Sequence, residues 1–162
     1  MPGLFLRPDE LFPYRTLREV LASRPQVVIS VAPGDLVVRA LQLMSDHNIG
    51  LVVVLEGERL VGVLSERDLA RYAGRSPEGA IRELRVEQLM TRDVSTVGPG
   101  ELIGRCMAVM DERGARHLPV VDNGRVIAVL SLRDLLREAV AHQRRLLSDI
   151  ERERLAAYQS LY

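Results

Sequence analysis

Two segments of the 162-residue chain place the same chemistry at the same spacing: Ser65, Arg67 and Asp68 within GVLSERD, and Ser131, Arg133 and Asp134 within AVLSLRD. Each joins the end of an apolar run to an amphipathic stretch, so the serine falls where a strand hands over to a helix. A helix N-terminus carries unpaired N–H groups and a partial positive charge, and can hold a phosphate without an overall basic protein. The serine hydroxyl adds a donor, the arginine reaches phosphate oxygens, and the aspartate can accept from both hydroxyls of a ribose. The same Ser-x-x-Asp spacing is also a capping box, in which both side chains satisfy backbone donors and bind nothing. Spacing alone favours capping.

Other chemistries lack their residues. His47, His117, His142 and Cys106 sit at no spacing that preorganises zinc, so no metal site is expected. No Ser-His-Asp or paired-carboxylate arrangement is evident, so no catalytic residue is assigned and the chain is not expected to be an enzyme. Lys plus Arg number 22 and Asp plus Glu number 22, and this balance steers the protein toward neither nucleic acid nor an anionic membrane. The longest apolar runs, such as Leu51 to Leu55, are about five residues, where a spanning helix needs about 20. The Met1 to Glu10 start lacks a secretory pattern and the lone Cys106 cannot close an internal disulfide, so a reducing cytoplasm is expected.

The elements that position the two serines repeat. Val28 to Leu69 lies over Val94 to Leu135 without a gap at an offset of 66, with 15 of 42 positions identical. Composition alone predicts roughly 2 to 4 identities. Each unit opens with a β-branched strand, Val27 to Val31 or Val94 to Val97, stopped by Ala-Pro-Gly or Gly-Pro-Gly. Apolar residues at steps of three and four then predict a helix ending at Asn48 or Gly114, with Cys106 aligned to Ala40 as a small buried thiol. Two apolar runs around Glu-Gly-Glu, or around Asp122, Asn123 and Gly124, predict hairpins, and a final helix follows Ser65 or Ser131.

The expected fold class is therefore α/β (α+β): two repeats, each strand-helix-strand-strand-helix, packed by pseudo-two-fold symmetry into one module with two equivalent clefts. The boundaries are residues 1–15 as an N-terminal extension, 16–75 as the first repeat, 76–85 as a linker, 86–141 as the second repeat and 142–162 as a C-terminal helix extension. Thr16 to Ala22 and Val86 to Met90 read as short helices leading into the repeats. One repeat alone should be unstable.

The repeat and its closing pattern resemble the CBS family, named after cystathionine β-synthase, whose units end in Gly-hydrophobic-x-Ser/Thr-x-x-Asp/Asn. GVLSERD matches every position, and VEQLMTRDVSTV (86–97) and RHLPVVDNGR (116–125) are further family-like pieces. The resemblance spans Thr16 to Val140. It implies a tandem stand-alone Bateman module whose inter-repeat clefts bind AMP, ADP, ATP, S-adenosylmethionine or NAD(H), with Asp68 and Asp134 on ribose. It also implies that adenine rests against Ser30, Val31 and Ile49 to Val53 in one unit, and against Thr96, Val97 and Arg116 to Pro119 in the other.

The units are not equivalent. Ala128 replaces the motif glycine Gly62, and its methyl group is expected to hold ligand contacts apart. Arg116 and His117 stand where the first unit has Gly50 and Leu51, so with Arg133 they are expected to bind phosphate more strongly in the second site. No obligatory cofactor is expected, only an adenine nucleotide as regulatory ligand. Leu132, Leu136, Ala139, Gln143, Leu146 and Ile150 trace a helical stripe beyond the repeat, which predicts a homodimer. The apolar residues Leu4, Phe5, Leu6, Leu11, Phe12 and Tyr14 are expected to pack down. A regulated protein partner is implied but not identified. The competing functional reading is a structural dimerisation module without a small-molecule ligand.

Overall fold

In chain order the elements are α1 (Leu17–Leu21), β1 (Ser30–Val31), α2 (Val37–His47), β2 (Leu51–Glu56), β3 (Arg59–Ser65) and α3 (Glu66–Ala73). A 3₁₀ turn (Ala80–Arg82) leads to α4 (Val86–Leu89), α5 (Ile103–Arg113), β4 (His117–Asp122), β5 (Arg125–Ser131) and α6 (Leu132–Gln159). This computed structural model describes residues 15–22, 26–77 and 80–159. The apolar residues from Leu4 to Tyr14 lie outside the described residues.

Both hairpins form where the paired apolar runs predict, and they match position for position. Val53 pairs with Val63 in the first and Pro119 with Val129 in the second, each pair 66 residues from its counterpart. A register shift follows Val54 in one hairpin and Val120 in the other, again 66 apart. Gly57 at φ 62, and Asn123 and Gly124 at φ 49 and 80, occupy the left-handed region that turns of this kind require. The long helices stop as expected, at Asn48 (φ 51) and Gly114 (φ 59).

The opening strands are shorter than the sequence predicts. β1 keeps two residues, parallel to β2, with Ser30 opposite Val53 and Val31 opposite Val54. Its counterpart is a single parallel bridge from Val97 to Val120. The preceding chain is engaged elsewhere: Thr91 exchanges backbone hydrogen bonds with Val63 of the first repeat, at 2.9 and 3.0 Å. Thr91 therefore serves the other sheet before the chain reaches its own at Val97.

Two cores repeat the same composition. Val31, Val37, Ala40, Met44, Val52, Val54, Leu64 and Leu69 are buried in one, and Val97, Ile103, Cys106, Met110, Leu118, Val120, Leu130 and Leu135 in the other. Each residue of the second set follows its partner by 66. Between them Leu51, Val53 and Val63 join Val94, Val126 and Val129 in a seam where the two sheets pack face to face.

The lead-in helices are exchanged. Leu17 and Val20 of α1 are buried in the second repeat's core, while Val86 and Met90 pack in the first. Backbone hydrogen bonds fix both crossings: Leu17 N–H donates to Glu101 O and Ile103 N–H to Arg15 O, while Val86 N–H donates to Asp35 O and Val37 N–H to Leu84 O. Each repeat thus completes its core with a segment preceding the other.

α6 is one continuous helix of 28 residues, so the boundary drawn at residue 142 marks no structural break. Its first turns pack on the second core through Leu132, Leu135 and Ala139. Glu138, anchored there, pairs with Arg15 and, at 2.8 Å, with Arg145.

Candidate functional site

The two serine junctions border a common cleft of about 800 Å³. Its walls carry Ser65, Arg67 and Asp68 from the first motif, Ser131 and Arg133 from the second, and Arg116, His117 and Pro119 from the start of β4. Asp134, hydrogen-bonded to Ser131, is not among the lining residues. The remaining expected contacts stand off it. Val31 and Val97 are buried in their cores, Ile49 packs against the first core, and Ser30 and Thr96 are exposed but away from the cleft wall.

Both capping boxes are realised. Ser65 Oγ donates to Asp68 Oδ2 at 2.6 Å and accepts from the Asp68 N–H at 3.3 Å, while the Ser65 N–H donates to Asp68 Oδ2 at 3.0 Å. Ser131 and Asp134 repeat the arrangement. The next amide is also used, because Glu66 N–H donates to Gly50 O at 3.1 Å and Leu132 N–H to Arg116 O at 2.9 Å. Three of the four first-turn donors are therefore satisfied at each junction, leaving only the Arg67 and Arg133 amides. The expected phosphate cradle of backbone N–H groups is mostly consumed, so anion binding here must rest on side chains. The capping bonds to Asp68 all end on Oδ2; among the described residues its Oδ1 accepts none and remains able to take ribose hydroxyls.

Side chains supply the positive charge. Arg67, Arg71, Arg113, Arg116 and Arg133 line the cleft against Glu66, Asp68 and Asp93. Arg71 and Arg113 are absent from the residues expected by sequence. Arg71 carried a signal, since it follows Arg67 by one helical turn on the same face. Arg113 carried none, because its place at the cleft depends on how the two repeats meet.

The arginines are differently committed. Arg67 Nη1 donates across the repeats to the Gly114 carbonyl at 3.1 Å, at the C-terminal end of α5. The side chains of Arg116 and Arg133 make no hydrogen bond or ion pair among the described residues. The second repeat also supplies Asp93, Val94 and Ser95 to the wall, whereas the matching residues of the first do not reach it. The inequality of the two units is thus visible in the cleft, although Ala128 does not cause it. Ala128 is buried in the second core, and its counterpart Gly62 backs onto Met90 and Thr91, where an added Cβ would lie 2.7 Å from Met90 Sδ and 3.0 Å from Thr91 O.

His117 sits at the centre of this asymmetry. It opens β4 opposite Ser131 and faces Glu66 across the bare Cα of Gly50. Burial, then the neighbouring Arg116, holds its pKa below the ordinary 6.5, against the opposing pull of Asp134 and Glu66. Cys106 is no nucleophile: burial pushes its thiol up to about 11.

Comparison with known proteins agrees with this architecture. A sequence profile described as CBS domain matches residues 17–75 and 86–141. The mitochondrial CBS domain-containing protein CBSX3 of Arabidopsis thaliana is 36% identical over 132 residues, covering 76% of this chain and 60% of that protein. The chain spans 57 to 66% of the length of the first three curated relatives it matches. Among solved structures, the CBS domain structure of NE2398 superposes with a TM-score of 0.72 at 37% identity, covering 78% of this chain and 98% of that one. The structure of CBSX2 in complex with AMP gives a TM-score of 0.65 at 23% identity, covering 80% and 99%. No helix among the described residues is long and apolar enough to cross a membrane.

Proposed function

The chain belongs to the CBS-domain family, and on that premise we propose that it is a non-catalytic regulatory module binding an adenosine-containing nucleotide in the cleft between its repeats. The observation that carries this reading is the excess of arginine at a wall that also presents the Asp68 carboxylate. Asp68 and Asp134 are the ribose acceptors, and Arg116, His117 and Arg133 receive phosphate. The AMP bound by the similar structure of CBSX2 supports that ligand class. A bound nucleotide bridges residues of both repeats, so it favours one relative arrangement of them and transmits its presence as a change of shape.

A thermal-shift panel with AMP, ADP, ATP, NAD(H) and S-adenosylmethionine tests the proposal. A ligand at 100 times its dissociation constant adds about 2.7 kcal/mol of stability. No shift with any of them would favour the second reading, a structural module whose capping boxes only cap, for which the complete boxes at Ser65 and Ser131 speak.

The same proposal includes a homodimer formed through α6. Leu146, Leu147, Ile150 and Leu155 are 49 to 63% exposed along its outer half. Arg144 and Arg145 precede that stretch, and within it Asp149, Glu151 and Glu153 alternate with Arg152 and Arg154. Pairing with a second copy covers the apolar residues. A monomeric mass in sedimentation equilibrium would exclude it.

A further inference from the structure

The centre of the cleft holds one ionisable ring among fixed charges. His117 is held from both repeats: its own β4 pairs it with Ser131, and across the seam the missing Cβ of Gly50 leaves a notch. A Cβ placed there would lie 3.5 Å from His117 Cε1 and 3.1 Å from Glu66 Oε2. The first repeat offers Leu51 at the matching position, so the ring has no symmetric counterpart. Among the described residues His117 makes no hydrogen bond, which leaves both ring nitrogens available to an incoming group.

The charges around it come from every neighbouring element. Arg116 precedes it in the chain, Asp134 lies in the first turn of α6, and Glu66 and Arg67 lie in the first turn of α3. Arg71, Arg113, Arg133, Asp68 and Asp93 also line the cleft. With the cleft empty, desolvation and Arg116 outweigh the two carboxylates and the imidazole is neutral near pH 7. A phosphate among Arg116, Arg133 and His117 reverses that balance, because it neutralises the arginines and offers acceptors to a second ring N–H.

Resting on the nucleotide reading above, we infer that this cleft binds its phosphorylated ligand together with a proton taken up by His117, so that affinity rises as pH falls. Binding lifts the ring's pKa from its depressed value, and between the free and bound values affinity changes by up to about tenfold per pH unit. The proton comes from solvent and rests on the imidazole, hydrogen-bonded to a phosphate oxygen; no bond to phosphorus is made or broken.

The test is an NMR titration of the three histidine rings from pH 5 to 8.5, with and without saturating AMP. His117 is assigned by the resonance lost in folded His117→Gln. AMP is expected to raise the pKa of His117 by a unit or more. Saturation by AMP with no rise at His117 overturns the inference while the nucleotide reading stands. Binding of S-adenosylmethionine without binding of AMP or ATP overturns it in the same way, since the ligand then carries no phosphate. If no adenosine compound perturbs the spectrum, both the inference and the reading it rests on fail.

Discussion

Arg67 Nη1 of the first repeat donates to the carbonyl oxygen of Gly114 in the second, at 3.1 Å, whereas Arg133, its repeat partner, has no such acceptor among the described residues. The two motif arginines therefore do different work. Arg133→Ala should weaken AMP binding by about 1.5–3 kcal/mol, the usual worth of a hydrogen bond to a charged group. Arg67→Ala should lower the urea midpoint and change affinity little. Calorimetry beside urea denaturation separates the two, and the reverse pattern would place the phosphate at the first motif.

The carboxylates should rank in the same order. Asp134→Asn is expected to reduce AMP affinity by roughly tenfold, about 1.4 kcal/mol, and Asp68→Asn by less. Melting curves of each variant control for the capping bonds both residues make with Ser131 and Ser65. Equal losses would show that both motifs contribute alike.

Gly62 is a packing requirement rather than a ligand contact. Adding a methyl group there meets Met90 Sδ and the Thr91 backbone oxygen, so Gly62→Ala should cost about 1–3 kcal/mol. Ala128→Gly, at the matching position, should cost only about 0.5–1 kcal/mol through lost burial and added chain entropy. Chemical denaturation measures both, and equal costs would mean that strand β3 and residues 90–91 can part freely.

Cys106 gives a pH signature. Its thiol pKa rises from an ordinary 9.0 to about 11 on folding, so the native state favours the neutral form. The stability this contributes is complete below pH 9 and is lost as pH climbs from 9 to 11. Cys106→Ala should flatten that part of the stability profile, and the native thiol should react with iodoacetamide only as fast as the protein opens.

Much of this molecule was legible in its residues, and the parts that were not share a cause. The spacing of Asn-Gly at 123–124, the stops at Asn48 and Gly114, and the buried partners of Ala40 and Cys106 are local facts, and periodicity or turn chemistry reports them. An apolar stripe says that Leu17 and Val20 need cover without saying whose. The exchange of α1 and α4 between cores was therefore invisible, and with it the pairing of Thr91 with the first repeat's sheet. The meeting of both motifs at a common cleft, and the use of Arg67 as a tie to Gly114, also depend on how the repeats face each other.

The exchanged lead-in helices also bear on what the covalent link between the repeats accomplishes. A chain severed after Ser76 keeps its α1 contacts with residues 99–103 and its α4 contacts with residues 33–37, but these now join two molecules. Stability changes its order of reaction: an intramolecular equilibrium becomes a dimerisation governed by fragment concentration. In that sense the protein is a domain-swapped pair of half-molecules, tethered so that neither can be diluted away from the other.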